Sequence, residues 1–561
     1  MKQQIAQLLE AAAAQLKTEG FIPEEQAIRV MVDNTRDKAH GDLASNLAMT
    51  LAKACQSNPR AVAEKIIAAI PENKVIDKVE IAGPGFINVY LAGESSAEIV
   101  ADILAQGTTF GHNRSGQGKK VQVEFVSANP TGPLHVGHGR NAALGDSLCR
   151  LMEANGWQTS REFYYNDAGA QINNLTLSVQ ARAKGLTPED SSWPADGYHG
   201  EYIFDVAQAY LAGDTIIADD QNVTGAKDPE NLDAIRQFAV AYLRREQDLD
   251  LKAFEVQFDV YFLESSLYSD GLVDKTVKQL VDNNYTYEQD GAMWLKTTEF
   301  GDDKDRVMRK KDGGYTYFLP DVAYHKNKFE RGFDRVINVQ GADHHSTVTR
   351  VRAGLQALKE NIPEGFPDYA LYQMIRVMRD GAEVKISKRA GNYLTLRDLI
   401  DQAGCDATRY FLVSRRADAQ IVFDINLATS KSNENPVYYI QYAHARVFGM
   451  LSRLEEQKLS FSAEAGLEAL SALDLDAERE LMTQLRRYPE VIAAAGQSLE
   501  PANIATYLKE LAGLFHSYYN SNKMLVEEDN IRNARLVLSK AVAQVIANGL
   551  GLLGVSAPEK M

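Results

Sequence analysis

Apolar and polar positions in the first part of the chain follow helical spacing and then strand spacing. Apolar residues between Ile5 and Leu16 recur at intervals of three and four, which predicts a helix. Two more helices are predicted over residues 46–70, with Pro59 in the first turn of the second. Residues 79–92 alternate around a Gly-Pro-Gly turn, a pattern typical of paired strands. We therefore predict a small α+β domain, which we place at residues 1–108.

The pattern changes beyond that domain. The glycine-rich, polar residues 106–120 indicate a linker. A strand over 121–126 follows, then a helix from Ala142 to Ala154 and a second strand over 157–167. A strand, a helix and a strand at short intervals indicate a parallel α/β sheet, which we assign to a domain of residues 109–434.

Two further regions complete the predicted architecture. Residues from about 176 to 290 are acidic and mostly helical in pattern, and we interpret them as an insertion into the α/β domain. The strand and helix alternation resumes with Arg335–Gln340 and a helix through Leu358. After about residue 434 the strands stop, and apolar positions such as Leu511 and Phe515 share helix faces. Residues 435–561 are therefore predicted to form an all-α domain, and the protein an α/β multidomain chain.

Composition and charge set limits on what this protein does. The chain has 561 residues. A single hydrophobic core serves at most roughly 250–300 residues, so we expect more than one domain. The net charge of −16 argues against a protein that coats nucleic acid non-specifically, because phosphate binding depends on lysine and arginine. It leaves open an enzyme that binds a folded RNA through local basic patches.

Cysteine usage and the N-terminus indicate the compartment. The three cysteines, Cys55, Cys149 and Cys405, lie far apart, which excludes a disulfide framework and a zinc site of the CxxC type. Glutamines interrupt the first apolar residues, so no secretory signal is predicted, and no uncharged run reaches the roughly 20 residues that span a bilayer. We expect a soluble cytoplasmic protein with no membrane partner and no structural zinc.

The densest chemical signal lies between Glu124 and Asn141. A predicted strand leads into a turn with prolines and glycines, and then into His135, Gly137 and His138 at a helix start. Helix N-termini beyond the ends of parallel strands offer N–H groups to anions, and the two imidazoles could donate to a phosphate. Taken alone, the histidines are equally compatible with polar helix-start residues or with two metal ligands. A zinc site is disfavoured because no further ligand recurs at metal spacing.

A second signal is the basic, glycine-flanked segment Lys385–Arg389, of sequence KISKR. Lysines on a flexible loop can neutralise the charge that develops on a phosphate leaving group. As an isolated motif, this segment would be read as a solvated basic turn.

Together these two motifs resemble the "HIGH" and "KMSKS" signatures of class I aminoacyl-tRNA synthetases. The form ANPTGPLHVGHGRN is similar to that of arginyl-tRNA synthetases. Val136 and Ile386 are apolar replacements for the usual isoleucine and methionine, whereas Arg389 replaces the final serine. The N-terminal HGDLASNLA and GPGFINV and the C-terminal KAVAQVIANGLGLLGVSAPEKM extend the likeness over nearly the whole chain.

This resemblance implies a Rossmann-like catalytic domain that uses ATP with Mg²⁺. It implies catalytic roles for His135, His138, Lys385 and Lys388. It implies no protein metal ligand, and a nucleotide site formed by Asn129, Pro130, Gly132, His135, Gly137, His138, Lys385, Ser387 and Lys388. The reaction implied is the formation of arginyl-adenylate, followed by transfer to the 2′-hydroxyl of the terminal adenosine of tRNA, with adenylate formation dependent on tRNA.

A guanidinium is planar, charged and rich in donors, so its pocket needs carboxylates and neutral acceptors in fixed orientation. The residues that match the family's arginine pocket are Glu124, Asn129, Tyr317, Asp321 and Gln340. Tyr317 and Asp321 are four apart and share a face if the segment is helical. The competing interpretation of Asp321, which follows Pro320, is a helix cap.

The resemblance also implies tRNA and L-arginine as partners, an anticodon-binding C-terminal domain and a tRNA-binding N-terminal domain. We expect a monomer that does not bind DNA. Candidate phosphate contacts in the C-terminal domain are Arg446, Arg453, Arg486, Arg487, Arg532, Arg535 and Lys540. The alternatives are a small-molecule nucleotidyltransferase, another class I specificity, and a non-catalytic tRNA-binding paralogue. The long helical C-terminal domain, the carboxylate-rich pocket and the intact motifs speak against these three in turn.

Overall fold

The computed structural model describes residues 2–35, 40–167, 169–218, 221–384 and 394–561. The N-terminal region combines helices with an antiparallel sheet of order β1-β2-β4-β3, around its own apolar core. Its elements are α1 (Lys2–Thr18), β1 (Val32–Asn34), β2 (Leu43–Ser45), α2 (Leu47–Leu51), α3 (Pro59–Ala68), β3 (Ile76–Ala82) and β4 (Phe86–Leu91). Pro59 begins α3, and the side chain of Asn58 caps it by accepting the N–H of Ala61.

The α/β region follows. Its first elements are α4 (Gly93–Gln106), β5 (Lys120–Glu124), α5 (Val136–Ala154), β6 (Gln158–Tyr165), α6 (Ala170–Ala183), α7 (Tyr202–Ala212), β7 (Thr215–Ala218), β8 (Gln221–Thr224) and α8 (Leu232–Ala253). The next are β9 (Val260–Leu263), α9 (Glu264–Ser269), α10 (Leu272–Asp282), β10 (Thr286–Gln289), β11 (Ala292–Leu295), β12 (Arg306–Arg309), α11 (Phe318–Glu330), β13 (Arg335–Gly341), α12 (His345–Ala357), β14 (Asp368–Tyr372), β15 (Ile375–Arg379) and β16 (Ala382–Glu383). The last are α13 (Leu396–Ala403), α14 (Cys405–Val413), β17 (Ile421–Asp424) and α15 (Ile425–Thr429).

The central sheet has the strand order β14-β13-β5-β6-β9, and every neighbouring pair is parallel. In chain order the strands move outward from β5 to β9 and then return to the other side of β5. This arrangement is the doubly wound α/β fold that the alternation of strands and helices predicted. The strand order reverses between β5 and β13.

The insertion differs from the prediction. Strand β9 lies inside the span 176–290, yet it pairs with β6 and forms an edge of the central sheet. Helices α6 to α8 and the β7–β8 hairpin precede it and share a separate apolar core. The short β9 was missed because a helical pattern surrounds it on both sides.

Residues 106–120, predicted to be a linker, are packed against the α5–β6 connection. The N–H groups of Asn113, Gly116 and Gly118 donate to the carbonyls of Ala154, Asn155 and Gly156. The glycines of residues 106–120 therefore allow this segment to approach the α5–β6 connection closely, and they do not indicate a flexible linker. A Cβ on Gly116 would lie 2.5 Å from the Trp157 ring.

The C-terminal region is helical, as predicted. Its elements are α16 (Pro436–Gln457), α17 (Ala463–Glu468), α18 (Asp476–Arg486), α19 (Tyr488–Ser498), α20 (Ala502–Ser521) and α21 (Asp529–Leu552). Its core is continuous with that of the central sheet, and the rings of Phe110 and Tyr488 stack with centroids 6.0 Å apart. The helical region is thus packed onto the α/β region over an apolar surface.

Candidate active site

The carboxyl ends of β5 and β13 lie side by side where the strand order reverses. Glu124, the last residue of β5, is in register with Asn338 of β13. In open parallel sheets, ligands bind in the crevice beyond the strand ends at such a switch point. The turn that follows Glu124 and the end of β13 at Gln340 share this crevice.

The backbone immediately after β5 is strained. Val126 and Ser127 have φ angles of 66° and 41°, which are unfavourable for residues with a side chain. Asn141 of α5 holds this turn, because its Oδ1 accepts the N–H of Val126 at 2.9 Å. Its Nδ2 donates to the carbonyl of Val339 at 3.0 Å. One buried amide therefore ties the turn to α5 and β13.

His135 and His138 cap α5 reciprocally. His135 Nδ1 accepts the N–H groups of Gly137 and His138 at 3.1 and 3.3 Å, and His138 Nδ1 accepts the N–H of His135 at 3.2 Å. The two rings stack with centroids 3.7 Å apart. A neutral imidazole that accepts at Nδ1 carries its proton on Nε2. Both rings therefore present an Nε2–H donor.

Two expectations about this helix start need correction. The helix begins at Val136, earlier than the predicted Ala142, because the histidine pair caps a glycine-rich first turn. The first N–H groups, expected to await a phosphate, are bound by His135 itself. Gly137 makes room for this imidazole, since a Cβ there would lie 2.9 Å from Cε1 of His135.

The basic segment predicted from KISKR, with Lys385, Ser387 and Lys388, lies outside the described residues. The chain on its C-terminal side is joined to the histidine turn. Thr395 forms an isolated antiparallel bridge with His135, and the N–H of Leu396 donates to the carbonyl of Leu134 at 2.8 Å. The segment that begins at Thr395 is therefore paired directly with the backbone of the histidine turn.

Carboxylates converge on the crevice below the histidines. The pKa of Asp321 is raised to about 7, because the half-buried carboxyl is desolvated and faces the carboxylates of Glu124 and Glu264, while Lys328 opposes the shift. Among the residues that the structure describes, none donates a hydrogen bond to the Asp321 carboxylate. Asp321 does not cap α11, which has Tyr317 at its N-cap, so the capping interpretation is wrong.

Glu124 is already paired with a cation. Its Oε2 accepts a hydrogen bond from Nζ of the fully buried Lys328 at 2.5 Å, and its Oε1 accepts from Ser127 Oγ at 2.9 Å. Lys328 Nζ also donates to Asn338 Oδ1 at 2.9 Å. Burial lowers the pKa of His325 to about 3, so the ring that contacts Asn338 is neutral. Lys328 therefore brings one positive charge into a crevice with several carboxylates.

The other predicted pocket residues are Tyr317, Gln340 and Asn129, and each has a different environment. Tyr317 is 70% exposed at the start of α11, one turn before Asp321, as the spacing of four predicted. Gln340 is the penultimate residue of β13, and its Oε1 is buried without a hydrogen-bond partner in the described part of the chain. Asn129 Nδ2 donates to Gln171 Oε1 at 2.6 Å.

Two residues of this crevice were missed from the sequence. Glu264 follows β9, is 9% exposed and accepts a hydrogen bond from the Tyr164 hydroxyl at 2.9 Å. Burial raises its pKa. A carboxylate at a strand end was the available signal, but the strand was hidden within the predicted insertion. Lys328 lies seven residues, or about two helical turns, beyond Asp321 on the same face of α11. This spacing of charged residues in the sequence was the signal that could have indicated Lys328.

A second cavity lies in the C-terminal helices. It has a volume of about 800 Å³, and its lining includes Tyr442, Arg446, Arg453, Tyr519 and Met561. The guanidinium carbon of Arg446 is 4.6 Å and 4.5 Å from the ring centroids of Tyr442 and Tyr519. Aromatic rings beside arginines are suited to stacking with an unpaired nucleobase.

Some candidate phosphate contacts are excluded by burial. Arg532 is 1% exposed and donates to the carbonyls of Val526 and Glu527 at 2.8 and 2.9 Å. Arg535 is paired with the buried Glu478 at 3.1 Å. Both arginines stabilise the helical fold, and neither reaches solvent freely.

The described ranges contain no group of three or more His, Cys, Asp or Glu side chains arranged to hold a metal ion. No helix within the same ranges has the length and apolar character needed to cross a membrane.

Comparison with protein families matches three parts of the chain. Residues 1–91 match the arginyl tRNA synthetase N-terminal domain, and residues 99–426 match the class I tRNA synthetase (R) catalytic domain. Residues 440–561 match the DALR anticodon binding domain.

Similar proteins cover the whole chain. Arginine–tRNA ligases of Geotalea daltonii and Geobacter metallireducens are each 55% identical to it, over all of both chains. The solved arginyl-tRNA synthetase of Thermus thermophilus has 21% identity and a TM-score of 0.74, with full coverage of both chains, and so shares the fold. From the catalytic-domain match and the full-length relatives, the chain belongs to the arginyl-tRNA synthetases, which activate arginine with ATP and attach it to tRNA.

Proposed function

We propose that the side chain of arginine enters the crevice between Asp321 and Glu264, so that its guanidinium meets both carboxylates. The supporting observation is Asp321, whose half-buried carboxylate faces two other carboxylates and receives no hydrogen bond from the described residues. Such a group favours a bound cation, which would lower the pKa of the carboxyl again. A guanidinium also supplies the donors that a carboxylate needs.

In this arrangement Glu124 forms the floor of the pocket. Its two oxygens accept from Lys328 and Ser127, and a carboxylate retains further acceptor positions. Gln340 Oε1, buried without a partner among the described residues, accepts an N–H of the substrate. Asn129 lies at the turn near the arginine backbone, and Tyr317 covers the mouth of the pocket.

ATP binds above arginine, against the histidine turn. The Nε2–H groups of His135 and His138 donate to phosphate oxygens, and their stacking fixes the two donors relative to each other. Asn129, Pro130, Gly132 and Gly137 form the backbone surface beside the nucleotide. Mg²⁺ enters bound to ATP, since Mg²⁺ is commonly held by phosphates and water with few protein ligands.

Lys385, Ser387 and Lys388 contact the departing phosphates. Their positions lie outside the described residues, and the proposal is supported by the bridge between Thr395 and His135, which anchors the following segment at the histidine turn. Lysine charges brought there by a loop would stabilise pyrophosphate as it leaves.

The first step joins the arginine carboxylate oxygen to the α-phosphorus of ATP and breaks the bond from that phosphorus to the bridging oxygen of pyrophosphate. The second step transfers the arginyl group to the 2′-hydroxyl of the terminal adenosine of tRNA and releases AMP. The substrate carboxylate is the nucleophile, so the residues act by positioning and by stabilising charge.

The tRNA contacts both ends of the chain. The C-terminal cavity beside Arg446 and Arg453 receives an anticodon base, which stacks on Tyr442 or Tyr519. The N-terminal domain contacts another part of the tRNA, and tRNA must bind before adenylate forms. DNA is not a partner. The enzyme works in the cytoplasm. It acts as a monomer, and one chain supplies every residue of the proposed pocket, so that a second copy is not needed to complete it.

The test is to incubate the protein with ATP, total tRNA and one amino acid at a time. Arginine should be esterified, whereas lysine and the neutral analogue citrulline should be rejected, because either would leave buried acceptors unpaired. Charging of lysine or citrulline at a rate comparable to arginine would contradict the proposed pocket.

Arg446→Ala should raise the KM for tRNA without altering the KM for arginine, which tests the anticodon cavity separately.

A further inference from the structure

Helices of the insertion reach the turn that precedes His135, which we name the signature turn (residues 129–134). Gln171 of α6 accepts from the Asn129 side chain at 2.6 Å. The hydroxyl of Tyr202, at the start of α7, donates to the carbonyl of Thr131 at 2.8 Å. Gln247 of α8 donates to the carbonyls of Asn129 and Gly132, at 3.1 and 2.8 Å. Three helices thus contact one short turn.

Gln247 makes the most specific of these contacts. It is 1% exposed, and a single amide nitrogen bridges the two carbonyls that flank Pro130 and Thr131. A primary amide has two N–H donors, which matches two acceptors. The side-chain amide of Gln247 therefore fixes the distance between the carbonyl groups of Asn129 and Gly132.

Helix α8 is held firmly enough to act as a support. Its apolar face, including Ile235, Phe238 and Leu243, is buried in the core that the insertion forms around α6 and α7. Near its C-terminal end, Asp250 is paired with Arg397 of α13 at 2.9 Å. Helix α8 is thus joined to α13. Helix α13 begins directly after Thr395, which forms a backbone bridge with His135.

We propose that the insertion clamps the signature turn, and that Gln247 is the positioning residue of this clamp. The clamp sets the backbone path from Asn129 to His135, and so the distance between the arginine pocket and the imidazole donors. This inference rests on the proposed function of those two groups. Reacting groups displaced by about 1 Å can cost 10²-fold in rate, so a loosened turn should slow the chemical step.

The isosteric variant Gln247→Glu tests the donor directly. A carboxylate keeps the size of the amide but has no hydrogen to give, whereas its protonated form donates one O–H. Burial and the two facing carbonyl oxygens raise the pKa of a carboxyl at this position, so that it gains a proton as the pH falls towards 6. Relative to the parent enzyme at each pH, kcat of Gln247→Glu should be about 10-fold to 10²-fold lower at pH 8.5 and should recover towards pH 6. The exposed Gln237 on the same helix provides the control, and Gln237→Glu should match the parent at every pH.

A purely structural role would lower the amount of folded protein but leave kcat per folded enzyme equal to that of the parent at every pH. If the rate of Gln247→Glu relative to the parent is constant from pH 6 to 8.5, or equals that of Gln237→Glu, the clamp is wrong. If Gln247→Glu does not fold, Tyr202→Phe decides. It should lower kcat severalfold and speed amide hydrogen exchange in residues 129–134, and an unchanged exchange rate would overturn the proposal.

Failure of the proposed function is distinguished by His138→Asn, which leaves the signature turn and Gln247 in place. If His138→Asn is fully active while Gln247→Glu is impaired with the expected pH dependence, the clamp stands and the role of the histidines is wrong. If His138→Asn is inactive and Gln247→Glu behaves as the parent, the clamp alone is refuted.

Discussion

Arg409 of α14 donates a hydrogen bond to Asp146 of α5 at 2.5 Å, and both side chains are buried. The same guanidinium donates to the carbonyls of Phe254 and Leu553, at 2.8 and 3.1 Å. One arginine therefore joins the helix that carries the histidine turn to the end of α8 and to the C-terminus of α21. Asp146 and these carbonyls accept the hydrogen bonds of the buried guanidinium, and Asp146 also balances its charge. A buried cation is stable only when it is paired in this way.

We expect Arg409→Met to lower the stability of the protein. Removing one partner of a buried pair costs about 3–5 kcal/mol when the other charge is left uncompensated. We expect the lower part of this range, because Arg150 and Arg161 still face Asp146. Burial acts to raise the pKa of Asp146, but Arg409 and its neighbours hold it below its ordinary value. This stabilisation is therefore present above about pH 4 and is lost as the pH falls through the lowered pKa.

The measurement is the midpoint of thermal unfolding at pH 7 and pH 4. Arg416→Met is the control, because Arg416 is 68% exposed and its pair with Asp418 is on the surface. Its expected effect is within about 0.5 kcal/mol. Equal midpoints for the two variants would mean that the buried pair contributes no more than a surface pair.

The phosphate site is tested at His138. Alanine removes both the Nε2–H donor and the Nδ1 acceptor that caps α5, so it mixes catalysis with stability. Asparagine retains an acceptor near Nδ1, and glutamine places an amide N–H near Nε2. We expect His138→Asn to lower kcat by about 10²–10³, with glutamine between asparagine and the parent.

Pyrophosphate exchange with tRNA present measures this, and the exposed His112→Ala is the control. The same assay applies to Lys388→Ala, for which an equal loss is expected. Full exchange activity in His138→Asn would remove this imidazole from the catalytic residues.

Arginine binding should depend on pH through Asp321. Since its pKa is raised to about 7, the carboxyl is partly protonated at neutral pH and becomes a better partner for a guanidinium as the pH rises. The KM for arginine should therefore fall between pH 6 and pH 8. In Asp321→Asn the KM should be much higher and independent of pH over this range, with the KM for ATP near its original value. A parent KM that does not change with pH would contradict the assignment.

Glu124→Gln and Glu264→Gln should behave differently. Glu124 is paired with the fully buried Lys328, so its replacement leaves an uncompensated ammonium and should destabilise the protein by about 3 kcal/mol. Within the described ranges Glu264 accepts a side-chain hydrogen bond from Tyr164 alone, so Glu264→Gln should raise the KM for arginine with little change in stability. Unfolding midpoints and arginine KM values for both variants separate the two roles, and identical effects would refute the distinction.

A chain ending at residue 430 should be poorly soluble and should not charge tRNA. Phe110 would lose its contact with the Tyr488 ring, and Arg409 would lose the carbonyl of Leu553 as an acceptor. The truncation would also expose the apolar surface between the α/β region and the helical C-terminal region. Aminoacylation and solution scattering are the measurements. Charging as fast as that of the full-length chain would contradict both the packing argument and the role of the C-terminal domain.

Local pattern predicted the sequence of an α+β region, an α/β region and an all-α region, and it drew attention to the turn at His135 and His138. Helices such as α1, α3 and α21, and the β3–β4 hairpin, follow from apolar spacing and turn residues, because these act between neighbours in sequence. The resemblance carried by HVGH and KISKR identified the family because each motif combines rare residues in a fixed order. The four-residue spacing of Tyr317 and Asp321 also predicted their shared helix face correctly.

Only the tertiary structure decided which of these groups meet. The pairing of Glu124 with Lys328, the approach of Glu264 and the contact of Gln247 with the signature turn all join residues far apart in sequence. They arise where the strand order reverses and β9 completes the sheet, and periodicity does not encode which strands become neighbours. Local spacing determines the face on which a side chain lies, whereas the topology of the sheet determines what that face meets.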